Sequence, residues 1–200
     1  MNPSVVVFDI GGVLVEWQPH LAWMDAFGSR AAVEAFMARI DFPARNHRAD
    51  AGERFADLAA ELADARDARL LADYVARYPL TVPTAIEGSW ALLDRLTARG
   101  VPVHAITNWS AETWPRGLTV HPRLGSAFGV TVVSGQEGVA KPDARLFRTL
   151  CARAGVAPAD CLFIDDSPRN VDGARAAGMD AVRFTGPQAL ERDLRERGLL

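Results

Sequence analysis

Short apolar or β-branched runs alternate along this sequence with helical patterns that stop at glycine, and this alternation limits the possible folds more than any other feature. The runs fall at 5–9, 101–107, 130–134, 161–165 and 181–184. Between them, helical patterns at 89–99, 143–154 and 168–177 end at Gly100, Gly155 and Gly178, each where a left-handed helix cap belongs. Strands that alternate with helices in this way predict a parallel α/β sheet. Residues 18–80 break the rhythm. There, 19–27, 31–40, 53–62 and 65–78 read as amphipathic helices with no strand among them, a helical insertion between the first and second strands.

At 200 residues the chain suits one sizeable core with a smaller appended module. It is 49% hydrophobic and 24% charged with a net charge of -3, has no basic block, and contains no apolar run of membrane-spanning length. Nucleic acid and membrane are therefore not expected as partners. The first residues, MNPSVVVFDI, lack the basic start and long apolar stretch of a secretory signal, so a cytoplasmic location is expected. Cys151 and Cys161 show neither metal-ligand nor redox spacing and are expected as free buried thiols. Among 22 basic residues there is a single Lys, Lys141. A lone Lys among Arg suggests a place where a compact ammonium fits and a planar guanidinium does not.

In an open parallel sheet, ligands bind beyond the carboxyl ends of the strands, and that is where the polar residues gather. Asp9 ends the first run, and Gly11 and Gly12 after it let the backbone turn and offer N–H groups to an anion, although a plain strand-ending turn has the same composition. Thr107 and Asn108 end the second run with a hydroxyl and an amide that suit a phosphoryl oxygen and are also common turn formers. Asp165 and Asp166 stand side by side after the fourth run. As neighbouring carboxylates they repel each other, so a hard cation such as magnesium (Mg²⁺) is a natural partner; helix capping before Pro168 is the other reading. Lys141 precedes Pro142 in a loop, where its charge can neutralise Asp9 and a bound phosphate. Arg45, Asn46, His47 and Arg48 form a polar cluster read as a loop between two helices, one that could close over the site or simply be solvated. Trp17, His20, Trp109 and Trp114 lie near strand ends, where core or hinge packing is the commoner role.

The segments FDIGGVLVEW, AITNWS, GVAKPDARLF and LFIDDSPRNVDGARAAGM together resemble the four motifs of the haloacid dehalogenase superfamily across nearly the whole chain. The resemblance implies a Rossmann-like three-layer parallel sheet core formed by 1–15 and 84–200, with an α-helical cap of 16–83 inserted after the first strand. It makes Asp9 the nucleophile and a metal ligand, Thr107 the phosphate-binding hydroxyl and Lys141 the cation that secures both. It also makes Asp165, Asp166 and the Gly11 carbonyl metal ligands, with Asp166 in direct contact. The implied cofactor is magnesium. The implied activity is hydrolysis of a small phosphorylated metabolite through an aspartyl phosphate. Gly11, Gly12, Asn108, Arg45 and His47 are expected around the substrate, and the protein is expected to be a monomer or weak homodimer.

Phosphatases of this family usually carry a second Asp two residues after the nucleophile, as acid and base, where this chain has Gly11. Members with Gly there include ones acting on a sugar 1-phosphate, a substrate whose leaving group needs less protonation. A 2-haloacid dehalogenase and a non-catalytic regulatory module of the same fold are the alternatives. The dehalogenase subgroup has an aromatic at the Gly11 position and lacks the paired acid of the last motif. If no residue replaces the missing acid, hydrolysis should depend steeply on leaving-group pKa. A flat dependence would point to another group, such as Glu16 or His47.

Overall fold

The computed structural model of the protein describes residues 3–200, and in it five parallel strands form one sheet in the order β3-β2-β1-β4-β5. These are β1 (Val5–Phe8), β2 (Val103–Thr107), β3 (Thr131–Val133), β4 (Cys161–Asp165) and β5 (Asp180–Arg183). Four lie within the runs read from the sequence, and β5 begins one residue ahead of its run, at Asp180. β2 starts at Val103, two residues later than its run, because Pro102 has no N–H to give a ladder.

The central strands are buried on both sides, and their side chains alternate between two cores. Val6, Phe8, Leu162 and Ile164 belong to one, and Val5, Val7, Cys161 and Phe163 to the other. The second core is closed by Leu146, Phe147 and Leu150 of the Ala144–Ala154 helix and by Val171 and Ala174 of the Pro168–Ala176 helix. The first is closed by Trp90, Leu93 and Leu96 of the Glu87–Ala98 helix and by Leu190 and Leu194 of the Pro187–Glu196 helix. This gives a three-layer, Rossmann-like α/β fold. The Ala144–Ala154 helix ends as its sequence implies, at Gly155 with φ of 68°. Both cysteines are free and buried.

The helices between β1 and β2 continue the first core. Trp23 stacks on Tyr74 at 5.1 Å and meets Phe36 and Phe42 edge-on at 5.1 and 5.2 Å, pairs that each contribute roughly 0.5–1.5 kcal/mol beyond simple burial. The segment expected as a loop around 45–48 is instead the Phe42–Asp50 helix. Its apolar period is hidden, because only Phe42 and Ala49 are buried and the rest of FPARNHRAD is polar or small. The Trp114–Val120 helix is masked in the sequence by Pro115 and Gly117, whereas Pro187–Glu196, with Leu190 and Leu194 one turn apart, is amphipathic and simply lies beyond the strand-and-glycine alternation. No helix among the described residues is long and apolar enough to cross a membrane.

The loop after β2 packs against the short Ser134–Glu137 helix at a point where only glycine fits. A Cβ on Gly135 would lie 2.4 Å from the Ala111 backbone nitrogen and 2.9 Å from the Ser110 carbonyl carbon. Both neighbours are backbone and cannot swing away. Gly135→Ala is expected to cost about 1–3 kcal/mol, seen as a lower Tm, and an unchanged Tm would show that the loop yields freely.

Candidate active site

From β1 the chain runs outward through β2 to β3 and then returns through β4 to β5 on the other side, so the loops after β1 and β4 diverge at the carboxyl edge. Asp9 continues the β1 ladder by one residue, donating its N–H to the Ile164 carbonyl at 2.8 Å. The chain then curls tightly, with Leu14 N–H on the Ile10 carbonyl and Gly12 N–H on the Val15 carbonyl, both at 2.8 Å. Gly12 has φ of 76°, and a Cβ there would lie 2.6 Å from Asp166 Oδ2. Glycine at this place lets the carboxylate that follows β4 approach the loop that follows β1.

Lys141 is the centre of the arrangement. Its side chain is fully buried, and its ammonium lies 2.6 Å from Asp165 Oδ2, 2.9 Å from Asp9 Oδ2 and 3.1 Å from the Ile106 carbonyl. Burial alone would lower its pKa, but the charges of Asp9 and Asp165 outweigh that and hold it above the ordinary lysine value. Asn108 uses both ends of its amide on the Lys141 backbone, accepting from its N–H at 2.8 Å and donating to its carbonyl at 3.1 Å. It therefore positions the lysine loop, and it also lines the cavity, with one Nδ2 hydrogen not used in these two bonds.

The acids differ in what they are free to do. Asp165 is saturated within the protein, accepting from Lys141, from the Ser167 N–H at 2.8 Å and from Asn170 Nδ2 at 3.0 and 3.1 Å. Asp9 accepts from the Ile10 N–H at 2.7 Å and from Lys141, and keeps a face on the cavity. Asp166 is exposed, and no side-chain donor among the described residues reaches its carboxylate. Burial, only partly offset by Lys141 and reinforced by Asp165 and Asp166, raises the Asp9 pKa well above the ordinary range. Burial and the Asp165 charge raise that of Asp166 as well. Two carboxylates thus share one ammonium with a third beside them, and one oxygen from each of Asp9, Asp165 and Asp166 lies within 4.8 Å of the others. All-oxygen donors fit a hard divalent cation, whose charge would favour the ionised forms of Asp9 and Asp166.

Asp9 and Asp166 open onto a cavity of about 300 Å³ whose lining also includes Gly11, Gly12 and Asn108 on the sheet side. Trp17, Tyr78, Val82 and Trp109 supply apolar walls, and Asn46 and Asp50 face in from the Phe42–Asp50 helix. Thr107, the last residue of β2, is buried and lies off the cavity wall. Arg45 and His47 are not brought to it. Arg45 pairs with Glu61 at 2.9 Å, as Arg48 does at 2.6 Å, and exposed His47 lines a separate shallow depression beside Pro142. The reason is helical phase: Asn46 and Asp50, four residues apart, share one face, while Arg45 and Arg48 share another. A loop would have no such phase, so from sequence alone Asp50 is not distinguished from its polar neighbours.

A model of the haloacid dehalogenase-like hydrolases matches residues 3–178. Phosphoserine phosphatase of Thermus thermophilus is 34% identical over 171 residues, covering 82% of this chain and 68% of that protein. Flavin mononucleotide hydrolase 1 of Arabidopsis thaliana is 32% identical over 114 residues, or 57% of this chain, and the match spans about half of that longer protein, 46%. In structure, a haloacid dehalogenase family enzyme of Bacteroides thetaiotaomicron, solved as a magnesium complex, shares the fold with a TM-score of 0.72. It is 17% identical, and the match covers 98% of this chain and 100% of that one.

Proposed function

This chain belongs to the haloacid dehalogenase-like hydrolases, and on that premise we propose that it is a magnesium-dependent phosphatase acting on a small phosphorylated metabolite through phosphorylated Asp9. The observation that carries the reading is one buried ammonium shared by Asp9 and Asp165 beside a third, unpaired carboxylate, with Asp9 and Asp166 on the wall of a cavity. A carboxylate attacks a phosphoryl group only when positive charge offsets the repulsion between the two anions. Lys141 supplies part of that charge. Asp9, Asp166 and the Gly11 carbonyl would hold magnesium, with Asp165 behind them fixing Lys141, and the bound ion would supply the remaining positive charge.

Residues 16–83 form the cap in this reading and 1–15 with 84–200 the core. The chain's own groups then do the following. The Gly11 N–H, on the cavity wall after Asp9, holds a phosphoryl oxygen, and Asp9 displaces the alcohol or other leaving group from phosphorus. Water hydrolyses the aspartyl phosphate in a second step. The cavity volume suits a metabolite rather than a polymer, and the relatives' names, a phosphoserine phosphatase and a flavin mononucleotide hydrolase, support the reaction class.

Hydrolysis of a panel of phosphorylated metabolites is expected with magnesium and is expected to vanish with EDTA. Magnesium should also raise the Tm of the resting protein, by an amount equivalent to about 2.7 kcal/mol at a hundred times its Kd. Chloride release from a 2-haloacid without magnesium would establish the dehalogenase reading instead, and absence of both activities would favour a regulatory module.

A further inference from the structure

With Gly11 carrying no side chain, the proton that the leaving oxygen needs must come from elsewhere. A Cβ built on Gly11 meets nothing within 4 Å, so this place is open space on the cavity wall. Glu16 is exposed, accepts from Gln18 Nε2 at 2.8 Å and faces a different depression. His47 faces another.

Asp50 is the remaining acid. It ends the Phe42–Asp50 helix and lines the same cavity as Asp9, but from the helical segment rather than from the sheet. In phosphoryl transfer the attacking and leaving oxygens lie roughly in line on opposite sides of phosphorus, so an acid for the leaving group belongs on the wall that faces the nucleophile. Asn46 Nδ2 donates to Asp50 Oδ2 at 3.0 Å, and the Ser110 backbone also donates to the carboxylate, which together fix its position. Glu53, Glu61 and Asp67 in the same segment are each paired with an Arg, whereas Asp50 has no ion-pair partner among the described residues.

We propose that Asp50 is the acid and base of this enzyme, an inference that rests on the phosphatase reading above. In the first step an Asp9 oxygen forms a bond to phosphorus, the bond from phosphorus to the leaving oxygen breaks, and the Asp50 proton passes to that oxygen. In the second, the Asp50 carboxylate takes a proton from water as the water oxygen attacks phosphorus. The bond to Asp9 breaks, phosphate leaves, and both side chains return to their starting forms. The ionisable groups that face Asp50 are Lys141, already shared by Asp9 and Asp165, and the phenols of Tyr74 and Tyr78. Burial, opposed only in part by Lys141 and the Ser110 hydrogen bond, pushes the Asp50 carboxyl up to about 7, near the pH at which one group serves best as both acid and base.

The test compares kcat/KM for a simple alkyl phosphate and for p-nitrophenyl phosphate in wild type, Asp50→Asn and Asp50→Glu, with magnesium present. Asp50→Asn is expected to lose on the order of 10² to 10⁴-fold on the alkyl ester and roughly tenfold or less on the aryl ester, whose leaving group departs unprotonated. Asp50→Glu should recover part of the alkyl rate, as should Gly11→Asp added to Asp50→Asn. Because the first step needs the protonated acid, the wild-type alkyl rate should fall as pH rises through about 7, and Asp50→Asn should lack that fall. An acid held above its ordinary value of 3.8 loses stability as pH rises through its folded value, so Asp50→Asn should also melt higher than wild type at pH 8. Equal losses on the two esters, or an unchanged alkyl rate, overturn this inference while leaving the phosphatase reading intact. A wild-type protein that cleaves neither ester overturns both.

Discussion

Asp9→Asn is expected to remove turnover, by on the order of 10⁴ to 10⁶-fold as for the loss of other covalent nucleophiles, while the protein stays folded. The amide is nearly isosteric, and its oxygen can still accept the Ile10 N–H that now reaches Asp9 Oδ1 at 2.7 Å. What it lacks is a nucleophilic oxygen and a negative charge for a metal. Folding should survive because Asp9 is an acid that burial and its acidic neighbours disfavour in the ionised form. The check is single-turnover hydrolysis together with phosphoprotein trapping and a thermal melt. A variant that keeps more than a few per cent of the wild-type rate would rule out covalent catalysis through Asp9.

The second large effect belongs to Lys141, and it combines activity with stability. Lys141→Met keeps the length of the side chain but leaves Asp9 and Asp165 facing each other without the ammonium that now lies 2.9 and 2.6 Å from them. Breaking a buried pair by removing one partner costs about 3–5 kcal/mol, a Tm loss of roughly 10 °C for a chain of this size, and turnover should disappear with it. Lys141→Arg separates the two contributions. The charge is kept, but three acceptors converge on one nitrogen in a site that also packs against the Phe163 ring, 5.3 Å from the ammonium. A planar fork cannot meet that tetrahedral demand, so stability should be partly kept and activity severely reduced. Near-normal turnover of Lys141→Arg would mean that charge alone suffices and that the single Lys of the sequence has no chemical cause.

Much of this molecule is readable one residue after another, and the rest is not, for definable reasons. The strand runs, the glycine stops and the acids at 9, 165 and 166 are local signals, because a strand buried on both faces must be apolar and an acid at its end interrupts that pattern sharply. The alternation of short strands and helices was therefore enough for a parallel α/β sheet with a helical insertion. The motifs were enough for the family. Sequence order could not show that Asn108 turns its amide to the Lys141 backbone, that Asp165 is saturated while Asp166 is exposed, or that Arg45 and His47 face away from the cavity. Those outcomes depend on contacts between residues far apart in the chain. Asp50 is the clearest case. Within FPARNHRAD it is one more charge on a polar stretch, and only the helical phase of Phe42–Asp50, set by packing Phe42 and Ala49 into the core, brings it to the cavity that Asp9 also lines. Its carboxyl is pushed up to about 7 by enclosure between that helix and the loop after β2, an enclosure that exists only once the chain has folded, because burial is a property of the surroundings and not of the residue.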